Sequence, residues 1–212
     1  MNAKGKSRGP PTDGFTESDA HIDFMHKKIA RYAKGKVLDI GFNQYPNRFL
    51  DGAVGADIAA KEKPENYSKV AKANSVKLPF PDKEFDTVIA SELLNHVENP
   101  MKNLREWNRV LKMGGRLIIS TVNPFFLPLM LSCLLYRKWP YYTNYHIADH
   151  TQHNVMAMLE LNNFRLVKAV GTGASSPVWG RKIPLIPLPR CMTQNLIYVA
   201  EKAGPPGKEK NF

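Results

Sequence analysis

The chain has 212 residues, 43% of them hydrophobic, and 30 Lys and Arg against 19 Asp and Glu give it a net charge of +11. This suits one soluble domain with a sizeable core. Two cysteines, Cys133 and Cys191, exclude a disulfide framework and lack metal-ligand spacing, so both read as free thiols in a reducing, cytoplasmic setting.

The basic excess invites an anionic partner, either nucleic acid or a membrane surface. Its distribution does not favour nucleic acid. The charges are spread over Lys4, Lys6, Arg8, Lys208 and Lys210, the segment 27–36, and isolated positions such as Arg105 and Arg109, which together read as a generally basic surface. Residues 1–15 are rich in Lys, Gly and Pro and have no apolar run, so they are expected to be a disordered basic tail and not a signal peptide. A single domain is expected over 16–203, followed by a second disordered tail over 204–212.

In chain order, Ile22, Met25, Ile29 and Tyr32 recur at helical spacing and predict a helix over 18–34, with Ser18 as its N-cap. Val37, Leu38 and Ile40 predict a buried strand that ends at Gly41 and a polar, proline-containing turn. A glycine there lets backbone N–H groups approach a ligand. Residues 53–56 predict a second strand with Asp57 at its end. Residues 61–72 are polar, with Pro64 early, and read as a short helix or loop. A proline-bounded turn follows at 78–81, then a buried strand over 85–90.

The best helical pattern covers 100–113, with Pro100 in the first turn and Leu104, Trp107, Val110 and Leu111 on one stripe. Gly114 and Gly115 are expected to end it, with a strand over 116–122. Strands alternating with helices imply an α/β, Rossmann-like, doubly wound and mostly parallel sheet. Asp57 lies 18 residues after Asp39, where a carboxylate at the end of the second strand can accept two hydrogen bonds from ribose hydroxyls.

Four motifs in this order carry a resemblance: Val37-Leu38-Asp39-Ile40-Gly41, Gly55-Ala56-Asp57-Ile58, Leu78-Pro79-Phe80-Pro81-Asp82 with Phe85-Asp86, and Arg109-Val110-Leu111-Lys112 with Gly114-Gly115. Over 37–122 the chain resembles the class I S-adenosylmethionine-dependent methyltransferases, of the small-molecule and lipid-quinone type, with Glu92 to Val97 matching a Glu-x-x-x-His-Val segment. The resemblance implies seven strands with the last antiparallel, and S-adenosylmethionine as cofactor. It assigns cofactor contacts to Asp39, Gly41, Phe42 and Asn43 in the first motif, Asp57 and Ile58 at the second strand, and Asn74, Ser75 and Ser91. Asn74 stands where the family usually has an acidic residue. Its carbonyl can still accept the adenine amino hydrogen bond, without charge assistance.

The first motif departs from the family. Gly41-Phe42-Asn43-Gln44-Tyr45 lacks two of the usual glycines. Asn43 tolerates a left-handed backbone, which offers one repair, and Tyr45 and Pro46 offer none. This keeps a non-catalytic, cofactor-binding regulatory module open as an alternative. The tetrapeptide Asn123-Pro124-Phe125-Phe126 resembles that of amino-group methyltransferases but follows the fifth strand and not the fourth, so it reads as a decoy.

Residues 124–153 read as an acceptor-side insertion or lid. Within it, 125–135 is apolar and too short to cross a bilayer, which takes about 20 helical residues. It is expected either to cover the site mouth with its apolar face on the core, or to contact a lipid-linked acceptor or membrane interface. Residues 139–153 are rich in aromatics and histidines. No carboxylate or cysteine set completes a metal site there, so none is expected. This stretch resembles the His-x-x-x-aromatic segment of sugar- and polysaccharide-associated methyltransferases. A histidine can take the acceptor proton near neutral pH, and His146 aligns with the histidine of that segment, so it is the expected general base, while His150 falls where the family has an aromatic residue; Asn123, Tyr141, Tyr142, Tyr145 and His150 are expected acceptor contacts. A purely structural hydrogen bond for His146 is the competing reading. A helix over 154–161, a strand over 164–170, a Gly- and Pro-rich loop over 171–190 and a strand over 195–200 close the domain.

The function expected is methyl transfer to an oxygen of a glycan, lipid-linked or other small-molecule acceptor, by a cytoplasmic protein with peripheral membrane contact through 125–135. RNA or protein methylation using the basic surface is the other enzymatic alternative.

Overall fold

The computed structural model describes residues 19–136, 146–172, 189 and 193–207. Among them, seven strands form one sheet: β1 (Val37–Ile40), β2 (Ala53–Asp57), β3 (Tyr67–Lys72), β4 (Phe85–Ala90), β5 (Leu111–Val122), β6 (Phe164–Gly171) and β7 (Asn195–Lys202). Their order is β3-β2-β1-β4-β5-β7-β6. β3, β2, β1, β4 and β5 pair in parallel, and β7 is antiparallel to both of its neighbours.

All four residues of β1 are buried because strands flank it on both sides and helices cover both faces. On one face Leu38, Val88, Leu117 and Tyr198 pack with Trp107 of α2 (Pro100–Val110) and Leu159 of a helix at Gln152–Leu161. On the other, Val37, Ile89 and Ile118 meet Met25 and Ile29 of α1 (Asp19–Ala30). From β1 the chain steps outward to β2 and β3, then returns to β4 on the opposite side. The loops after β1 and β4 therefore diverge and leave a crevice at their carboxyl ends.

The local chemistry explains the helix boundaries. Asn99 caps α2 by accepting the Lys102 N–H at 2.9 Å, with Pro100 at the first turn. Between β5 and β6 lie α3 (Leu127–Tyr136) and the helix at Gln152–Leu161, here α4, whose N-cap is Thr151.

The structure revises several expectations. Residues 67–72 form the edge strand β3 and not a helix or loop. Only its first residue is fully buried, so the strand has no alternating apolar signature. α2 ends at Val110, three residues before the expected 113, and Gly114 and Gly115 lie within β5. Phe85 pairs with Leu111 and Thr87 with Arg116, so residues 112–115 bulge out, with Gly114 at a φ of +69°. α3 does not turn its apolar face to the core: Phe126 is buried, but Leu127, Met130, Leu131, Leu134 and Leu135 are exposed. Gly204 and Pro205, expected in a loose tail, accept hydrogen bonds from the side-chain amides of Asn108 (3.3 Å) and Asn163 (2.6 Å). Ser18 and Cys191 lie outside the described residues.

The Leu-Pro-Phe turn is held to α2 by two side chains. Glu106 accepts the Leu78 N–H at 2.6 Å, while Arg109 donates to the carbonyls of Phe80 (2.9 Å) and Leu78 (3.2 Å) and pairs with Glu106 and Asp82. Arg109→Ala would leave two carbonyls and the Glu106 carboxylate under-satisfied. It is expected to lower unfolding free energy by about 2 kcal/mol in urea melts, and Arg109→Lys is expected to recover only part of this because a single ammonium lacks the planar fork.

Candidate active site

The crevice starts at the loop after β1. Gly41 has a φ of +79° and donates its N–H to the Ala56 carbonyl at 2.8 Å, which folds the loop across the tip of β2. An added Cβ there would also approach Leu93 to 3.2 Å. Asp57, half-buried at the end of β2, accepts the N–H groups of Asn43 (3.2 Å, Oδ2) and Ala59 (2.6 Å, Oδ1). Each oxygen keeps a further acceptor site, so the carboxylate is fixed by backbone and still able to accept two hydroxyls. Its residues fit a ribose.

Below this loop lies a network that sequence reasoning missed. Tyr67, the first residue of β3, reaches under β1 and donates its hydroxyl to Asp39 Oδ2, while its oxygen accepts the Asn47 N–H at 3.1 Å. Asn47 is itself buried: its amide donates to the His26 carbonyl (3.2 Å), its Oδ1 accepts the Phe49 N–H (3.1 Å), and its carbonyl accepts from Asn66 (3.0 Å). Asn66 also donates to the Leu50 carbonyl at 2.7 Å. An asparagine and tyrosine scaffold thus shapes the loop where the family uses glycines. Tyr67 gave no signal because an isolated tyrosine in a polar stretch has no motif.

The placement of the expected cofactor residues varies. Phe42 is buried, its ring against Tyr67 at 5.3 Å between centroids and directly on Gly55, where a Cβ would come within 2.6 Å of the ring. Its side chain therefore faces the core, and only its backbone belongs to the loop. Ile58 is exposed beside Asp57. Ala73 donates to the Asp57 backbone carbonyl (3.0 Å), which brings the chain at Asn74 past the end of β2, and Asn74 Oδ1 accepts the Val76 N–H (3.1 Å) in a tight turn. Ser75 points away, donating to Asn103 Oδ1 at 2.5 Å. Ser91, at the end of β4, keeps a hydroxyl with no hydrogen-bond partner among the described residues. The next residue, Glu92, has a φ of +49° and donates its N–H to Ser120.

On the acceptor side, residues 146–148 dock on the turn after β4: Ile147 and Ala148 donate N–H groups to the Asn95 carbonyl at 2.8 and 3.3 Å. This stacks the His146 ring on His96, 5.2 Å between centroids, and sets His146 Nε2 3.3 Å from Asp149 Oδ1. His150 is buried. Burial pushes its pKa down against the opposing effect of a hydrogen bond with the Leu94 backbone. Asn123 is occupied structurally: its side-chain amide donates to the Thr193 carbonyl (2.8 Å) and its Oδ1 accepts the Phe125 N–H (3.1 Å). Tyr141, Tyr142 and Tyr145 lie outside the described residues. No cluster of three His, Cys, Asp or Glu able to hold a metal occurs among the described residues.

A mostly parallel sheet with one antiparallel strand, a glycine turn after β1 and a carboxylate at the tip of β2 define a Rossmann-like α/β fold. A family described as a methyltransferase domain matches residues 49–119. The mitochondrial ubiquinone biosynthesis O-methyltransferase of Dictyostelium discoideum is 32% identical over 76% of this chain and 53% of its own length. The ubiquinone/menaquinone biosynthesis C-methyltransferase of Rhizobium rhizogenes is 32% identical over 52% of this chain and 40% of its own. The chain thus spans about half the length of the curated relatives it matches. A SAM-dependent methyltransferase structure from Thermotoga maritima superposes with a TM-score of 0.64 at 18% identity, covering 86% of this chain and 91% of that one. Residues 49–119 thus match a methyltransferase domain, and the sheet around them has the fold of an S-adenosylmethionine-dependent methyltransferase structure.

Burial pushes the Asp39 carboxyl up to about 7, although the bonds from Tyr67 and the Asn47 N–H oppose it. Protonation of folded Asp39 therefore contributes stability at low pH that is lost as pH rises from about 4 to about 7. Burial also pushes His26 down to about 4, against the nearby Asp23 charge, so the His26 contribution rises with pH between about 4 and 6.5. The two slopes oppose each other in the wild type. Asp39→Asn removes the falling one, and urea melts between about pH 4.5 and 6.5 are expected to show stability climbing more steeply in the variant; parallel curves would remove Asp39 from this account.

Proposed function

We propose that the protein transfers a methyl group from S-adenosylmethionine to an oxygen of a small, lipid-linked or glycan acceptor. The observation that carries this reading is the Asp57 carboxylate, held at the tip of β2 by the Asn43 and Ala59 N–H groups with acceptor capacity to spare. Asp57 would hold the ribose, Gly41 and Asn43 would border the methionine part, and Asn74 and Ile58 would border the adenine. The cofactor supplies a sulfonium-borne, electrophilic methyl group. The Tyr67 and Asn47 scaffold supports a binding-competent loop without the usual glycines, which weighs against a non-catalytic module.

His146 serves as the base. Its imidazole takes the proton of the acceptor hydroxyl, and the Asp149 carboxylate, 3.3 Å from Nε2, offsets the positive charge that results. The two relatives bear names of opposite kinds, one an O- and the other a C-methyltransferase, both of ubiquinone biosynthesis. Those names support a lipid-linked acceptor more than a glycan. A basic surface alone is what supports RNA or protein as acceptor, and no described basic cluster lines the crevice.

Calorimetric titration with S-adenosylmethionine tests the cofactor half. Asp57→Ala leaves two ribose hydroxyls unpaired and is expected to weaken binding by about 30-fold, equivalent to about 2 kcal/mol. Equal affinity in both proteins would defeat the assignment. For the chemistry, His146→Ala is expected to lower turnover by about 100-fold while cofactor affinity stays unchanged, because the imidazole acts on the acceptor. Unaltered turnover would leave proximity and orientation as the catalytic contribution.

A further inference from the structure

We propose that α3 is a docking surface for an anionic lipid bilayer, from which the methyl acceptor enters the site. The choice of acceptor rests on the function proposed above; the bilayer contact does not.

Leu127, Met130, Leu131, Leu134 and Leu135 recur at i, i+3, i+4, i+7 and i+8, so they share one helix face, and each is between 45% and 76% exposed. Phe125, just before the helix, is 57% exposed. Single exposed apolar residues are ordinary, but a continuous aliphatic stripe is not. The helix anchors itself on the opposite side through buried Phe126 and half-buried Cys133. A ten-residue helix is about 15 Å long and cannot span a membrane, so the stripe suits a helix lying in the plane of the interface.

Charge selects lipid over a protein partner. No charged residue occurs from Asn123 to Tyr136, no Asp or Glu occurs between Asn123 and Asp149, and Arg137 and Lys138 follow the last turn directly. Lys4, Lys6 and Arg8 precede α1 in sequence, and His21 of α1 binds Asn195 Oδ1 at 2.7 Å, while Asn195 pairs with Val122, five residues before α3. Juxtaposed apolar and basic groups are what an anionic bilayer surface attracts.

The face also adjoins the site. Burial and, more weakly, the Asp149 charge push the Cys133 thiol up, so the inner side of α3 lies within electrostatic range of the His146 and Asp149 pair.

The test is flotation of the full-length protein with phosphatidylcholine vesicles containing or lacking about 30% phosphatidylserine, at low and high salt. Binding to the anionic vesicles, weakened by salt, is expected. Combining Leu131→Ser, Leu134→Ser and Leu135→Ser should cut the bound fraction by about tenfold or more, with an unchanged melting temperature because all three are exposed. Wild-type protein that stays in solution, or a triple variant that floats like wild type, overturns the proposal. So does a wild-type dimer in gel filtration that the triple variant converts to monomer without any vesicle binding, since the stripe would then join two copies. Cofactor titration on the same preparations keeps the two readings apart. Vesicle binding without cofactor binding upholds the surface and removes the enzyme, and cofactor binding without vesicle binding does the reverse.

Discussion

The Tyr67 hydroxyl donates to Asp39 and accepts from the Asn47 N–H, and the shape of the loop over β1 depends on this pair of bonds. Asp39 sits in the middle of the sheet with both neighbouring strands in place, so its carboxyl has no water to turn to. Burial of such a group is costly unless it is hydrogen-bonded or neutral. Tyr67 supplies the bond, and the raised pKa of Asp39 supplies a proton near neutrality. The same burial, together with the adjacent carboxylate, pushes the Tyr67 hydroxyl upward, so it remains a donor.

From that point the geometry of the crevice follows outward. Asn47, fixed by Tyr67, Asn66 and the α1 backbone, sets where the loop returns to the core, and Gly41 sets where it leaves. Between them the Asn43 N–H meets Asp57. Phe42 fills the hollow above Gly55, which explains why β2 carries a glycine there. A loop that has lost glycines has gained side-chain amides, and backbone groups that a tight glycine turn would satisfy are satisfied by Asn47 and Asn66.

The acceptor side is built differently. Among the described residues, 146–150 dock through the backbone of Leu94 and Asn95 and the ring stack of His96 and His146. The pairing joins residues fifty positions apart through a turn that follows β4, so no local pattern could reveal it. His96 belongs to the motif that suggested the family, yet the motif gives no indication that the ring packs on another histidine.

The alternation of apolar runs and helical stripes determined the α/β class, the parallel core and the position of Asp57 at a strand end, because burial on two sheet faces leaves a local mark in composition. The edge strand β3 left no such mark, since water covers most of it, and its contribution, Tyr67, became visible only when β3 lay beside β2. Gly114 and Gly115 gave a correct signal for a turn, but whether that turn ends a helix or bulges from a strand depends on the pairing of Phe85 with Leu111. The apolarity of 125–135 was equally plain in the sequence. Which way the stripe faces was decided by Asn123 and Phe126, whose bonds and burial fix the exit of the chain from β5 and turn five aliphatic side chains outward.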